Sequence, residues 1–241
     1  MVFLIIWELC TDILKLAPPY SLPSPIKVFG SFLFKLTNTA PDGSILAVHI
    51  FTSLYVALVG FVSGAVVGVP LGILMAWHKK IDLMVKPVFD FLRTIPPIGW
   101  IPIMILVLGI GVQAKAAVIF VAALVPCLIN SYAGIKQTNP IHLWVGQTFG
   151  ATNRQLLWEV AIPTALPFIF TGLRVSLSIS WMSLVAAELL AATSGLGYMI
   201  QIARTIGRAD IIVVGMLMIG VIGTVLAAGL QYFEKKYVKG E

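Results

Sequence analysis

The chain has 241 residues, of which 59% are hydrophobic and only 11% are charged. An average soluble domain is about 45–50% apolar and about 25% charged, so an ordinary soluble enzyme, a disordered chain and a nucleic-acid binder are excluded in favour of an integral membrane protein. The formal charge of +6 is therefore expected to come from Lys and Arg in loops, where they set orientation and contact anionic lipid headgroups.

Long stretches without charge locate the membrane spans. No Asp, Glu, Lys or Arg occurs in residues 43–78, 94–114, 116–135 or 211–233, and a helix needs about 20 apolar residues to cross a bilayer. The sequence therefore predicts an all-α, polytopic membrane protein with one transmembrane domain over residues 1–241. About six helices are predicted, at 1–16, 49–77, 84–109, 114–135, 166–191 and 211–233.

The first two predicted spans are separated by a proline-rich stretch, PPYSLPSP at 18–25. Proline lacks a backbone donor, so this stretch is not a span. We expect an external loop here, with an interfacial helix over 25–36.

The second span carries four glycines at four-residue spacing, Gly60, Gly64, Gly68 and Gly72. Such a stripe lies on one helix face and lets a neighbouring backbone approach closely. Tight helix packing is the favoured interpretation, and a lining of the solute route is the alternative. Pro70 is expected to bend this helix.

The third span contains the sequence RTIPPIGWIP at 93–102, in which three of seven residues after Ile95 are proline. Non-helical backbone at membrane depth is tolerated only where protein or a water-filled cavity satisfies it. Arg93, Pro96 and Pro97 are therefore candidates for the solute route, and a simple packing kink is the alternative.

The segment over 137–165 is too long for an ordinary helix connection, which is commonly 2–8 residues. Asn139-Pro140 indicates a helix start, and Thr152 with Gln155 fits a capping box before a second helix. Pro163 and Pro167 are expected to end that second helix. We predict two short cytoplasmic helices with exposed apolar residues, a docking surface for a partner.

The fifth span holds polar residues at spacings of four, three, four and three, which places them on one helix face. They are Arg174, Ser178, Trp181, Val185 and Glu188. A charge in hydrocarbon is costly, so this face is predicted to line a solute route. The alternative is that the two charged side chains reach toward opposite membrane surfaces.

Three groups of basic residues share one side of the membrane, which is therefore assigned as cytoplasmic together with both termini. They are Lys79, Lys80 and Lys86, then Lys136 and Arg154, then Lys235, Lys236 and Lys239.

Sequence motifs for chemistry are absent. The chain has no G-x-x-x-x-G-K-[ST] loop for ATP, no H-E-x-x-H and no G-x-S-x-G. His49, His78 and His142 share no ligand spacing. We therefore expect neither an enzyme nor a metal site.

Several motifs together resemble one family. GATNRQLLWEVAIPTALP at 150–167 resembles the cytoplasmic signature of bacterial ABC-importer permeases. FIFTGLR ending at Arg174, VAAE at 185–188, GLGY at 195–198 and RTIPPIGWIP at 93–102 resemble the nitrate, sulfonate and taurine branch.

The resemblance implies a type I importer fold in the bacterial cytoplasmic membrane. It implies a second, identical permease subunit, two ATPase subunits that bind ATP and Mg²⁺, and an extracytoplasmic solute-binding protein. This chain itself would bind no cofactor. Gly150, Ala151, Leu156 and Pro163 fall on the signature that contacts the ATPase.

One departure from the family pattern begins six residues before Gly150. The family usually has Glu-Ala-Ala where this chain has Trp144, Val145 and Gly146. Our hypothesis is that Trp144 replaces the missing polar contact with an apolar one.

The sequence thus indicates a permease subunit for a small solute, an anion such as nitrate, a sulfonate or taurine. Glu188 on the same face as Arg174 would repel an anion, so a zwitterionic or cationic solute such as a thiamine precursor is an alternative. A stand-alone secondary transporter is the rival, although it would not need the long segment at 137–165.

Overall fold

The structure is a computed structural model that describes residues 2–14, 18, 22–190 and 192–237. The described part is helical. Its α-helices are α1 (Val2–Glu8), α2 (Pro25–Thr37), α3 (Leu46–Trp77), α4 (Lys79–Leu92), α5 (Ile101–Leu108), α6 (Val112–Lys136), α7 (Pro140–Thr148), α8 (Asn153–Gln155), α9 (Ile162–Leu190), α10 (Leu196–Thr205) and α11 (Ala209–Tyr237). Short π-helical segments extend α1 over Leu9–Ile13 and join α8 to α9 over Leu156–Ala161, and a 3-10 turn precedes α5 over Pro97–Trp100.

Four continuous helices are long and apolar enough to cross a membrane. They are α3, α6, the joined helix Asn153–Leu190, and α11. Each has 25 or more residues, and at about 1.5 Å per residue each exceeds the roughly 30 Å of bilayer hydrocarbon. These four confirm the second, fourth, fifth and sixth predicted spans.

The third predicted span is broken, as its prolines indicate. The helices Lys79–Leu92 and Pro97–Leu108 meet at 87°. Pro97 opens the 3-10 turn and Pro102 lies in the first turn of α5, where no backbone donor is needed. Counting this pair as one span gives up to five among the described residues, rather than six.

The first predicted span, 1–16, is too short in its described part. Helix continues only over residues 2–13, about 18 Å at 1.5 Å per residue. Residues 1, 15 and 16 lie outside the described ranges. The apolar composition indicated a span, but twelve residues of helix do not reach across a bilayer.

The predicted helix at 25–36 is present as α2. Ser24 caps it by accepting a hydrogen bond from the Lys27 amide. Its polar residues Ser31 and Lys35 point into the protein, while Ile26 and Phe29 are exposed. This inverted pattern indicates that the outer face of α2 contacts lipid rather than water.

The second short helix predicted in the segment 137–165 does not stop at Pro163 or Pro167. It continues through the π-helical segment into α9 as one 38-residue helix. In the π turn the Ile162 amide bonds to the carbonyl of Leu157, five residues back. The wider turn relieves the clash that Pro163 would cause in a regular helix.

Helix α6 is the centre of the bundle, with α3 and α9 on its two sides. The glycine stripe of α3 faces it. A Cβ added at Gly60 would lie 2.5 Å from Ile119 Cβ, and one added at Gly68 would lie 2.8 Å from the Leu124 carbonyl oxygen. A Cβ at Gly72 would collide with the carbonyl of Leu128. The glycines therefore allow backbone contact between two spans.

Candidate functional site

The coupling segment, residues 137–165, folds as a helix, a turn and the start of a long helix. Asn139 caps α7 by accepting a hydrogen bond from the Ile141 amide at 2.9 Å. Helix α7 ends in a turn at Gly150, whose φ of +84° is a conformation that a residue with a side chain rarely adopts. The turn directs the chain back toward the bundle.

The predicted capping box is present in the next turn. The Gln155 amide donates to Thr152 Oγ1 at 3.3 Å. The Thr152 amide and hydroxyl donate to Gln155 Oε1 at 2.9 and 2.8 Å. These bonds satisfy donors at the helix start and keep the Thr152 and Gln155 side chains at the surface.

Leu156 ties the turn to the long helix. It is only 2% exposed, and a Cβ at Gly146 would lie 2.5 Å from its Cδ2 atom. The Ala151 amide donates to the Gly146 carbonyl at 3.0 Å. Gly146 therefore gives space to Leu156, a packing role that the sequence alone did not reveal.

Large apolar side chains cover the outside of this segment; we call them the coupling surface. They are Ile141, Trp144, Val145, Phe149 and Trp158, which are 50–87% exposed. Such a concentration of exposed aromatic residues is typical of a protein–protein contact. Trp144 lies on it.

The polar stripe predicted along α9 is divided into two parts. Arg174 is half-exposed and pairs with Glu234 of α11. Ser178 is also exposed, and its hydroxyl donates to the Arg174 carbonyl at 3.1 Å. These two residues remain accessible from outside the subunit.

The upper part of the stripe is inside the subunit. Trp181 is 7% exposed, and its Nε1 donates to the Ile219 carbonyl of α11 at 3.1 Å. A Cβ at Gly223 would lie 3.1 Å from that nitrogen, so Gly223 makes room for the indole. Trp181 thus joins two helices of the same chain.

Glu188 is 1% exposed and holds the turn between α9 and α10. Its Oε1 accepts from the Ser53 hydroxyl at 2.8 Å, and its Oε2 accepts from the Gly197 amide at 2.9 Å. Lys115, also buried, interacts with it electrostatically. A side chain at Gly195 would collide with the Glu188 carboxylate, so the glycine lets the turn approach it.

A second buried group lies beside the first. Lys35 donates to Asp42 Oδ1 at 2.6 Å and to the Ser44 carbonyl at 2.7 Å. The other Asp42 oxygen lies 3.3 Å from His49 Nε2, and His49 Nδ1 accepts from the Gly195 amide at 3.1 Å. Sequence analysis missed this group because Lys35, Asp42 and His49 are close in sequence but lie on two helices and the turn between them, and only packing brings them together.

A third polar contact fastens α2 to the start of α11. Ser31 donates to Asp210 Oδ2 at 2.5 Å, and Arg208 donates to the same carboxylate. The hydrogen bond to Asp210 raises the pKa of Arg208, which precedes the membrane-spanning helix. All three contacts stabilise one end of the bundle.

The candidates at the broken span are accessible. Arg93 Nε pairs with Asp90 Oδ1 at 2.8 Å, and both side chains are nearly half-exposed. Pro96 is extended and Pro97 begins the 3-10 turn. The break therefore presents non-helical backbone next to an ion pair.

Comparison with known proteins agrees with this geometry. Residues 68–239 match the family described as the binding-protein-dependent transport system inner membrane component. A putative ABC transporter permease of Methanocaldococcus jannaschii is 35% identical over 97% of this chain and 86% of its own length. The taurine transport system permease of Escherichia coli is 34% identical over 95% and 83%. The nitrate import permease of a Synechocystis strain is 32% identical over 100% and 87%.

The fold is also that of a solved importer. The MetNI methionine ABC transporter, in an inward-facing conformation, superposes with a TM-score of 0.67 over 80% of this chain and 94% of the matched chain, at 22% identity. The four long helices, the broken span and the match across most of the sequence lead to one conclusion. The chain belongs to the family of inner-membrane permease subunits of binding-protein-dependent ABC importers.

Proposed function

We propose that this permease carries a small acidic solute inward and is driven by two separate ATPase subunits that dock on the coupling surface. The exposed aromatic residues of α7 and of the turn after it carry this proposal. The partner ATPases would bind ATP and Mg²⁺. A second copy of this chain and an extracytoplasmic binding protein complete the proposed assembly.

The proposed solute class is based on the solutes for which relatives are named, not on a binding pocket in this chain. Relatives are named for taurine, nitrate, bicarbonate and aliphatic sulfonates, and each of these bears an acidic group. Arg174 supports an anion only weakly, because Glu234 neutralises it in this structure. Family membership places the chain in a multi-component system, which removes support from a stand-alone secondary transporter.

The proposed route uses the accessible candidates, Arg93, Pro96, Pro97, Arg174 and Ser178. Trp181 and Glu188 are given anchoring roles, because their partners lie within the same subunit. The C-terminal end of α11 is proposed to lie in the cytoplasm, on the side of the coupling surface. The sequence predicted the same side for the N-terminus, but with five spans, an odd number, the described segment before α3 would lie on the opposite side.

Reconstitution tests the proposal. The permease would be co-purified with its ATPase and binding protein, placed in proteoliposomes, and assayed with taurine, nitrate, bicarbonate, an alkanesulfonate and a cationic pyrimidine. We expect ATP-dependent uptake of at least one acidic solute. Uptake without the ATPase, or uptake of the cation alone, would contradict the proposal.

A further inference from the structure

A cavity of about 230 Å³ lies between α4 and the last turns of α6, apart from the coupling surface. Three charged side chains of α4 and that of its C-cap residue line it, at spacings of four, four and three residues, which places them on one helix face with alternating sign. They are Asp82, Lys86, Asp90 and Arg93. Tyr132 of α6 lies opposite.

Two of these four charged side chains form an ion pair with each other. Asp90 and Arg93 form an ion pair at 2.8 Å. Lys86 takes part in no ion pair within the described part of the chain; its Nζ lies 5.8 Å from the centre of the Tyr132 ring. Asp82 and Lys86 therefore both line the cavity without forming an ion pair with each other.

Asp82 has one oxygen in use and one free. Its Oδ2 accepts a hydrogen bond from the Tyr132 hydroxyl at 3.1 Å. Its Oδ1 is buried and has no hydrogen-bond partner among the described residues. A buried carboxylate oxygen without a donor is unfavourable, so a ligand that supplies an N–H group at this point would be stabilised.

We propose that this cavity binds a small zwitterion, with its ammonium group on Asp82 and its acidic group on Lys86. The lining carries two acids and two bases, and Lys136 Nζ lies 5.6 Å from the centre of the same Tyr132 ring. Charges of both signs favour a ligand that also carries both over a simple ion. Met75, Phe89 and Leu128 supply an apolar wall that suits a short hydrocarbon linker.

This proposal rests on the proposed import function, because the cavity lies near the cytoplasmic side of the membrane. Lys79, Lys80 and Lys86 belong to the side assigned as cytoplasmic, where an imported solute is released. Tyr132 is one turn before Lys136, which ends α6 at the start of the coupling segment. A bound solute would therefore contact the helix that leads to the ATPase.

Three related compounds test the two-charge requirement on the unchanged protein. Binding would be measured on the permease–ATPase complex in nanodiscs without the binding protein. The ligands are 2-aminoethanesulfonate (taurine), 2-hydroxyethanesulfonate, which lacks the amine, and ethanolamine, which lacks the acid. We expect taurine to bind. We expect each single-charge compound to bind at least about ten-fold more weakly, because each loses a charge-assisted hydrogen bond.

Three variants locate the site. Asp82→Asn and Lys86→Gln should each weaken taurine binding about ten-fold or more. The matched control is Lys80→Gln, which removes the same charge from an exposed position of α4 outside the cavity lining. It should change binding less than about two-fold, since exposed charges at a distance are screened by salt.

The proposal is overturned if taurine does not bind the unchanged complex, or if the three compounds bind with equal affinity. It is also overturned if Asp82→Asn and Lys86→Gln bind taurine as tightly as the unchanged protein does. ATP-driven uptake in the presence of the binding protein is measured on the same preparation. If uptake is intact while the cavity fails these tests, only the zwitterion site is rejected. If taurine binds as expected but no solute is taken up, the import function is rejected and the site remains.

Discussion

Glu188 shows how a charge inside a membrane protein can serve structure. Both of its oxygens accept hydrogen bonds, from Ser53 and from the Gly197 amide, and Lys115 lies near enough to interact with it. A buried charge is tolerated when it is paired and hydrogen-bonded. Its contacts join α3, α9 and the start of α10.

Replacing Glu188 with Ala should strongly destabilise the permease. The change removes the acceptor of the Ser53 hydroxyl and of the Gly197 amide and leaves buried Lys115 without the nearby carboxylate. Each buried polar group left without a partner costs about 1–3 kcal/mol. Thermal unfolding in detergent, followed by tryptophan fluorescence, should show a lower Tm.

The same substitution at an exposed position is the control for Glu188→Ala. Glu159→Ala should change stability by less than about 0.5 kcal/mol, because Glu159 is exposed. Equal Tm values for the two variants would show that Glu188 is not an anchor.

At the scale of elements, contact between α3 and α6 depends on the glycine stripe. A Cβ at Gly64 would lie 2.5 Å from Ala123 Cβ and 2.7 Å from the Phe120 carbonyl oxygen. Gly64→Ala should therefore push the helices apart and destabilise the protein by about 1–3 kcal/mol, as overpacking does. The measurement is the same thermal unfolding.

Gly220→Ala in α11 controls for the general effect of alanine in a helix. A Cβ there has nothing within 4 Å in this chain, and alanine favours helix over glycine. Its stability should be unchanged or higher. A Gly64 variant as stable as the Gly220 variant would refute the close packing of α3 on α6.

The coupling surface is the second element with a testable role. Trp144 is 64% exposed on α7, and aromatic residues at the centre of an interface commonly contribute about 2 kcal/mol or more. Trp144→Ala should weaken association with the ATPase subunit by about ten-fold or more, measured by co-purification and by titration of the two proteins.

An exposed aromatic residue elsewhere is the control for Trp144→Ala. Phe51 of α3 is 72% exposed on a membrane-spanning helix, far from α7 in sequence. Phe51→Ala should leave ATPase association unchanged. If the Trp144→Ala variant binds the ATPase subunit as tightly as the unchanged protein does, the hypothesis that Trp144 supplies an apolar contact in place of the family's glutamate is rejected.

At the scale of the whole molecule, orientation decides which surface meets the ATPase. In a background without Cys10 and Cys127, single cysteines at Lys80 and Lys235 should react with a membrane-impermeant maleimide only from the cytoplasmic side. A cysteine at Arg204, in the last turn of α10, should react only from outside. The reverse labelling would invert the assignment made from basic residues.

Much of the architecture followed from local patterns. Charge-free stretches predicted three of the four continuous spans, and the apolar run that contains Arg174 and Glu188 predicted the other, since apolar length is a property of sequence alone. The prolines at 96, 97 and 102 predicted the broken helix, and Thr152 with Gln155 predicted the capping box. These features depend on residues close together in the chain.

The predictions from sequence were wrong where a neighbouring segment changes the effect of a local feature. Pro163 was expected to end a helix, but the π turn over Leu156–Ala161 absorbs it. The stripe of α9 was expected to form one face toward the solute, but α11 covers Trp181 and α3 covers Glu188. Helical spacing identifies a shared face, yet it does not say which neighbour covers each part.

The sequence by itself determined that this chain is a helical membrane protein of the importer-permease family, because composition, apolar length and local motifs are sufficient for that. Only the tertiary structure decided what each charge does. His49 accepts a hydrogen bond from an amide 146 positions away and Glu188 accepts one from a hydroxyl 135 positions away, and such pairing is set by how the helices pack. Because an unpaired charge in a membrane is costly, the helices must pack so that each buried charge has a partner.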